Sequence, residues 1–153
     1  MNHEPYMQLA LEQARRAEDL GDVPIGAVIV AGDNIVAAEH NRRIIDADPT
    51  AHAEMLAIRA AARAIGDWRL NGCCLYVTLE PCPMCAGAIV LARLDAVVFG
   101  ASDAKAGAAR TLYSICDDDR LNHTCEVVGG VLADECGRAL TEFFRRQRAM
   151  GKK

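Results

Sequence analysis

No stretch of the 153-residue chain approaches the roughly 20 consecutive apolar residues that a membrane span needs. Nor is a secretory leader expected: Glu4 and Pro5 stand where a basic patch and then an apolar core would be. The expectation is therefore a chain that starts here and stays in the cytoplasm. Proline is scarce, with 5 residues, and glycine is modest, with 12, so collagen-like and low-complexity classes are excluded. Hydrophobic residues make up 52% and charged residues 25%, which excludes disorder and allows a core without disulfide staples. An excess of positive charge is also missing, the net charge being −4. That total hides an asymmetry. Residues 138–153 carry six cationic side chains against Glu142 alone, a local charge of +5, so residues 1–137 carry −9. An acidic body with a basic tail does not coat nucleic acid generically, although it can hold a phosphate backbone at one end. On charge alone, a helix with basic residues complementing its C-terminal dipole accounts for the tail at least as well.

The seven cysteines are odd in number, and with no secretory leader they are not expected to form a disulfide framework. Most sit among apolar neighbours as small buried hydrophobes. Cys82 and Cys85 stand apart as a C-x-x-C.

Hydrophobic spacing predicts a helix over 5–20, with Met7, Ala10, Leu11, Ala14 and Ala17 on one face. Residues 23–31 and 35–39 read as a hairpin around Gly32-Asp33-Asn34. A helix is expected over 51–65 with Thr50 as N-cap, then a strand over 73–79. A further helix covers 83–93, with Cys82 at its cap and Pro83 at its first position. Strands over 96–100 and 125–131 and a helix over 133–150 complete the order, with residues 101–123 as an Asp-, Gly- and Ala-rich loop. Strands interleaved with helices predict an α/β domain spanning 1–153, one five-stranded mixed sheet sandwiched between helices.

The chemistry concentrates in His52-Ala53-Glu54 and Pro81-Cys82-Pro83-Met84-Cys85. Each half alone is weak, since H-x-E is common and C-x-x-C can be redox-active or structural. Both halves fall at expected helix N-termini, where free N–H groups and the dipole favour thiolate, the form that binds metal. His52, Cys82 and Cys85 supply three ligands and leave the fourth tetrahedral position open, the pattern of a catalytic zinc. His3, His40 or His123 could still reach the site through the fold. Two thiolates and a neutral imidazole cancel the charge of Zn²⁺, so a bound water is acidified less than beside three histidines and benefits from a base. Glu54 fits that role as a proton shuttle rather than a ligand. In a continuous helix, two residues would separate it from His52 by about 200°, but at the first turn both can face a metal ahead of the helix end. Such a site could cleave an amide or remove an exocyclic amine.

The H-x-E and P-C-x-x-C pair is the signature of zinc nucleobase deaminases. The segments 23–28, 48–54, 76–88, 98–108 and 132–136 followed by Phe143-Phe144-Arg145 resemble the bacterial tRNA-specific adenosine deaminases, in the cytidine deaminase superfamily. The resemblance implies one Zn²⁺ per subunit, a homodimer, and a tRNA anticodon stem-loop as substrate. It implies hydrolytic conversion of the wobble adenosine of an arginine-accepting tRNA to inosine, with Glu54 moving the protons. It further implies that Asn41 and the backbone at Ala53 meet the flipped base, and that Asp103 and Lys105 meet neighbouring nucleotides. Phe144, Arg145 and Arg148 would touch the anticodon loop. The sequence departs from the family where Arg43-Ile44-Ile45-Asp46-Ala47 follows Arg42, a Pro or small polar residue being expected at 43. Gln147 and the Asp117–Asp119 cluster are further departures. Two alternatives share the zinc centre: a deaminase of free bases or nucleosides such as guanine or cytidine, and a non-catalytic zinc-binding partner subunit. The basic tail and the Phe99–Ala108 loop favour the RNA reading, and an intact Glu54 argues against a scaffold.

Overall fold

A computed structural model describes residues 2–152. Helix α1 (Glu4–Asp19) buries Met7, Ala10, Leu11, Ala14 and Ala17, the face its spacing predicts. The hairpin follows as β1 (Gly26–Ala31) and β2 (Asn34–His40), with an irregularity in register between Ile29 and Val30. Next come α2 (Ala53–Ile65), β3 (Cys73–Leu79), α3 (Pro83–Leu91), β4 (Ala96–Ala101), β5 (Glu126–Val128) and α4 (Ala133–Ala149). The element order agrees with expectation, but β5 is three residues rather than seven.

One sheet runs in the order β2-β1-β3-β4-β5. The pairs β1–β2 and β1–β3 are antiparallel, while β3–β4 and β4–β5 are parallel, so the sheet is mixed. Alternation along the strands sends side chains into two cores. Ala27, Ile29, Leu75, Val77, Val97 and Phe99 pack with the small residues of α2 and α3. Val28, Val30, Tyr76 and Val98 pack with α1 and with Cys136 of α4. Helices on both faces of the sheet give the expected sandwich. Gly26 lets α1 lie directly on β1, because a Cβ there would collide with the Ala10 carbonyl. No helix among the described residues is long and apolar enough to cross a membrane.

This layout brings the starts of α2 and α3 together. The strands β2 and β3 lead toward them, and both helices lie on the same face of the sheet.

Candidate metal centre and nucleotide pocket

Helix α2 begins at Ala53, not at residue 51, and His52 rather than Thr50 is its N-cap. The Thr50 hydroxyl instead donates to Asp48 Oδ1 at 2.7 Å, closing a local turn. His52 is extended (φ −78°, ψ 149°) while Glu54 is already helical. That break removes the 200° problem, because the two side chains do not share one helical frame. Cys82 is the N-cap of α3, also extended, with Pro83 in the first turn as expected.

His52 Nδ1 lies 3.6 Å from Cys82 Sγ and 3.5 Å from Cys85 Sγ. Zinc bonds of about 2.05 Å to nitrogen and about 2.3 Å to sulfur, at a tetrahedral angle, put N and S roughly 3.6 Å apart. His52 therefore stands from each sulfur at the separation that one shared tetrahedral ion requires, and the three ligand atoms all lie within 4.8 Å of one another. Among the described residues they are the one such His/Cys/Asp/Glu group. The other histidines are engaged elsewhere: His3 with the Tyr76 hydroxyl, His40 with the Asn41 carbonyl, and His123 with the Leu94 carbonyl. All seven cysteines are unbridged. Hydrogen bonds from Cys85 and His52 hold the Cys82 thiol down at about 4 against its burial, while donation to Cys82 and burial push Cys85 up.

Glu54 is 4% exposed. Burial raises its carboxyl to about 7, partly opposed by a bond to its own amide and by His52. A carboxyl poised there both takes and gives a proton near neutrality.

A cavity of about 380 Å³ opens over this centre. His52, Glu54 and Cys82 line its floor; Asn41, Asp103, Lys105 and Phe144 line it as well. Ala53 is fully buried at the start of α2, and Cys85 is buried behind the lining. Arg145 and Arg148 are exposed and lie outside the cavity. Leu140 and Phe144, one turn apart on α4, both face it, and Arg148 continues that stripe by another turn. Arg146 of the same tail is occupied by Glu18 of α1.

Two buried carboxylates that the sequence motifs do not include shape the walls. Asp22 is fully buried. It accepts the Asn41 side-chain amide at 3.2 Å and the backbone N–H groups of Val23, Ile44 and Ile45. One amide hydrogen of Asn41 is thereby used, leaving its carbonyl and second hydrogen for a ligand. Glu80, 1% exposed, accepts the N–H groups of Asp103, Ala109, Arg110 and Thr111 and the Thr111 hydroxyl. Burial pushes the Glu80 carboxyl up, but these bonds outweigh it and hold the carboxyl below its ordinary value. Gly107 has no room for a side chain, because a Cβ would strike the Glu80 carboxylate. Asp103 turns its own carboxylate back onto the N–H groups of Lys105 and Ala106. Part of its role is therefore to shape the loop. The sequence signal for both anchors is an acid embedded between apolar or proline neighbours, Gly21-Asp22-Val23-Pro24 and Leu79-Glu80-Pro81.

The model of the MafB19-like deaminase family matches residues 1–148. The chain is 53% identical over 149 residues to the tRNA-specific adenosine deaminase of Bacillus subtilis (strain 168), covering 97% of this chain and 92% of that one. It is 50% identical over 146 residues to the protein of the same name from Haemophilus influenzae, covering 95% and 84%. A structure from studies of A-to-I editing by tRNA:A34 deaminases at the wobble position of transfer RNA superposes with a TM-score of 0.84 at 42% identity, covering 88% of this chain and 98% of that one. A guanine deaminase from Bacillus subtilis is more distant, with a TM-score of 0.65 at 34% identity and 95% of each chain covered.

Proposed function

Because the chain belongs to the tRNA-specific adenosine deaminase family, we propose that it converts the wobble adenosine of a tRNA anticodon, that of an arginine-accepting tRNA, to inosine. The buried Glu54 beside a His52–Cys82–Cys85 cluster, in a cavity large enough for a nucleobase, supports the deaminase chemistry, and the observation that carries the tRNA substrate is the likeness to tRNA-specific adenosine deaminases over nearly the whole chain.

In this reading His52, Cys82 and Cys85 hold one Zn²⁺ per subunit. When bound, the ion supplies Lewis-acid activation of water. Glu54 removes a proton from the attacking water and delivers it to N1 of adenine as the C6–O bond forms. Glu54 then relays the second proton to the exocyclic nitrogen, the C6–N bond breaks, and ammonia leaves. Adenosine and water become inosine and ammonia, with no redox change. Asn41, held by Asp22, and the backbone at Ala53 meet the base. Phe144 offers a stacking face, Asp103 and Lys105 meet nucleotides beside the target, and Arg145 and Arg148 take phosphates.

The proposal extends to a homodimer in the cytoplasm. Exposed Leu91, Leu112 and Tyr113 supply apolar surface for a second copy. The test is inosine formation on an anticodon stem-loop with adenosine at the wobble position. Free adenosine, guanine and cytidine run beside it, and Glu54→Ala is the control. Inosine on the stem-loop alone supports the reading, whereas turnover of a free base or nucleoside alone overturns it. Zinc retained with no turnover of any amine would make the chain a non-catalytic subunit.

A further inference from the structure

We propose that Arg43 grips a backbone phosphate flanking the target nucleotide, an inference that rests on the RNA reading above. Arg43 lines the same cavity as His52, Glu54 and Cys82. Its Nε is buried and has no hydrogen-bond partner, and it is the single buried side-chain nitrogen or oxygen in that condition among the described residues. A guanidinium N–H taken from water without an acceptor is costly, so the arrangement calls for an acceptor from outside the chain.

The neighbouring groups explain why no acceptor of its own serves. Arg42 is paired with Asp46 through Nε and Nη2, both at 2.9 Å, which occupies both oxygens of that carboxylate. Asp22 already takes four donors, two of them the N–H groups of Ile44 and Ile45 just beyond Arg43. Glu80 is filled by the loop opposite. The segment that carries Arg43 is thus pinned on both sides, while Arg43 Nε keeps no acceptor within the chain and the residue lines the cavity.

The missing acceptor is best supplied by an anion. A guanidinium is permanently charged and presents a planar fork that fits a phosphate through two N–H bonds. Base edges and ribose are neutral, so in a strand of RNA the phosphodiester is the matching group. Lys105, on a separate loop, is a second cation of the lining. A nucleotide turned into the cavity from mid-strand carries one phosphate on each side, and two cations from separate segments of the lining suit that arrangement. A free nucleoside or base has neither phosphate, so the same residue would favour polymer over monomer.

The experiment measures binding of the wobble-adenosine stem-loop across a salt series by zinc-loaded wild type, Arg43→Ala and Arg43→Lys. Zinc content and far-UV dichroism confirm that each variant is folded. Arg43→Ala is expected to lower the slope of log K against log salt by about 0.7, the value of one single-strand phosphate contact. Its KM should rise about tenfold, with the loss falling on KM rather than kcat, and Arg43→Lys should restore the slope. Stem-loops with a neutral methylphosphonate on the 5′ or the 3′ side of the target identify the phosphate, because at that position Arg43→Ala should cost nothing further. Weakened binding with an unchanged slope would overturn the phosphate in favour of a base or ribose contact. Unchanged binding would overturn any contact. Inosine formation by wild type, followed in parallel, separates these outcomes from failure of the RNA reading.

Discussion

Glu54 combines two properties that pull against each other: the proposed shuttle role requires it to ionise, yet it is almost fully buried. Its carboxyl rises from 4.5 to about 7, so between those values the folded chain holds a proton there that the unfolded chain has released. Stability from this group is present below about pH 4.5 and is lost as pH rises toward 7. In metal-stripped protein, Glu54→Gln should therefore gain on wild type by about 3 kcal/mol across that window, read from urea midpoints at each pH. A flat difference would mean that the carboxyl is not desolvated. With zinc restored, the same variant should keep its metal and lose deamination by at least about a hundredfold. Cys82→Ala should leave two of three ligands, and its zinc content should fall well below one per chain. A full complement of zinc in that variant would remove Cys82 from the ligand set. These residues were legible in the sequence because H-x-E and C-x-x-C each place their side chains locally, through a cap and a first turn. Asp22, Glu80 and the unsatisfied Arg43 were not read as part of the site, because their roles depend on partners 19 to 31 residues away or on a missing one.

At the scale of elements, the helices and long strands follow their periodicity closely. The errors fall where side chains compete for backbone groups. Thr50 has the right chemistry for an N-cap, but Asp48 captures its hydroxyl and its N–H, and the helix starts two residues later than expected. Residues 101–123 have no hydrophobic period because their first half is organised by polar contacts, five donors converging on Glu80. A Gln at 80 would present N–H groups to N–H groups. Glu80→Gln is expected to cost about 2–3 kcal/mol and to speed amide exchange at Asp103, Ala109, Arg110 and Thr111. Exchange that quickens uniformly through the sheet instead would point to general destabilisation.

Across the whole molecule, charge is divided in a way that composition alone hides. The −9 body is joined to a +5 tail, most of which is the end of α4. Arg146 is already engaged by Glu18, so the cations left outward on that helix include Arg145 and Arg148. Replacing both with Ala should weaken stem-loop binding and reduce the salt slope by up to about 1.4, two single-strand contacts. An unchanged slope would leave the tail as a complement to the helix dipole. The tail's composition was readable from the sequence, but whether each arginine was free was not, since the partner of Arg146 lies 128 residues away.

The walls of the pocket hang from Asp22 and Glu80 mainly through backbone N–H groups. A main-chain donor is supplied by every residue except proline. The identities of Arg43, Lys105 and Ala106 can therefore drift while the loops keep their shape. Such a scaffold separates the right to fold from the choice of substrate. Directed evolution aimed at those rim positions should change nucleic-acid preference at little cost in melting temperature.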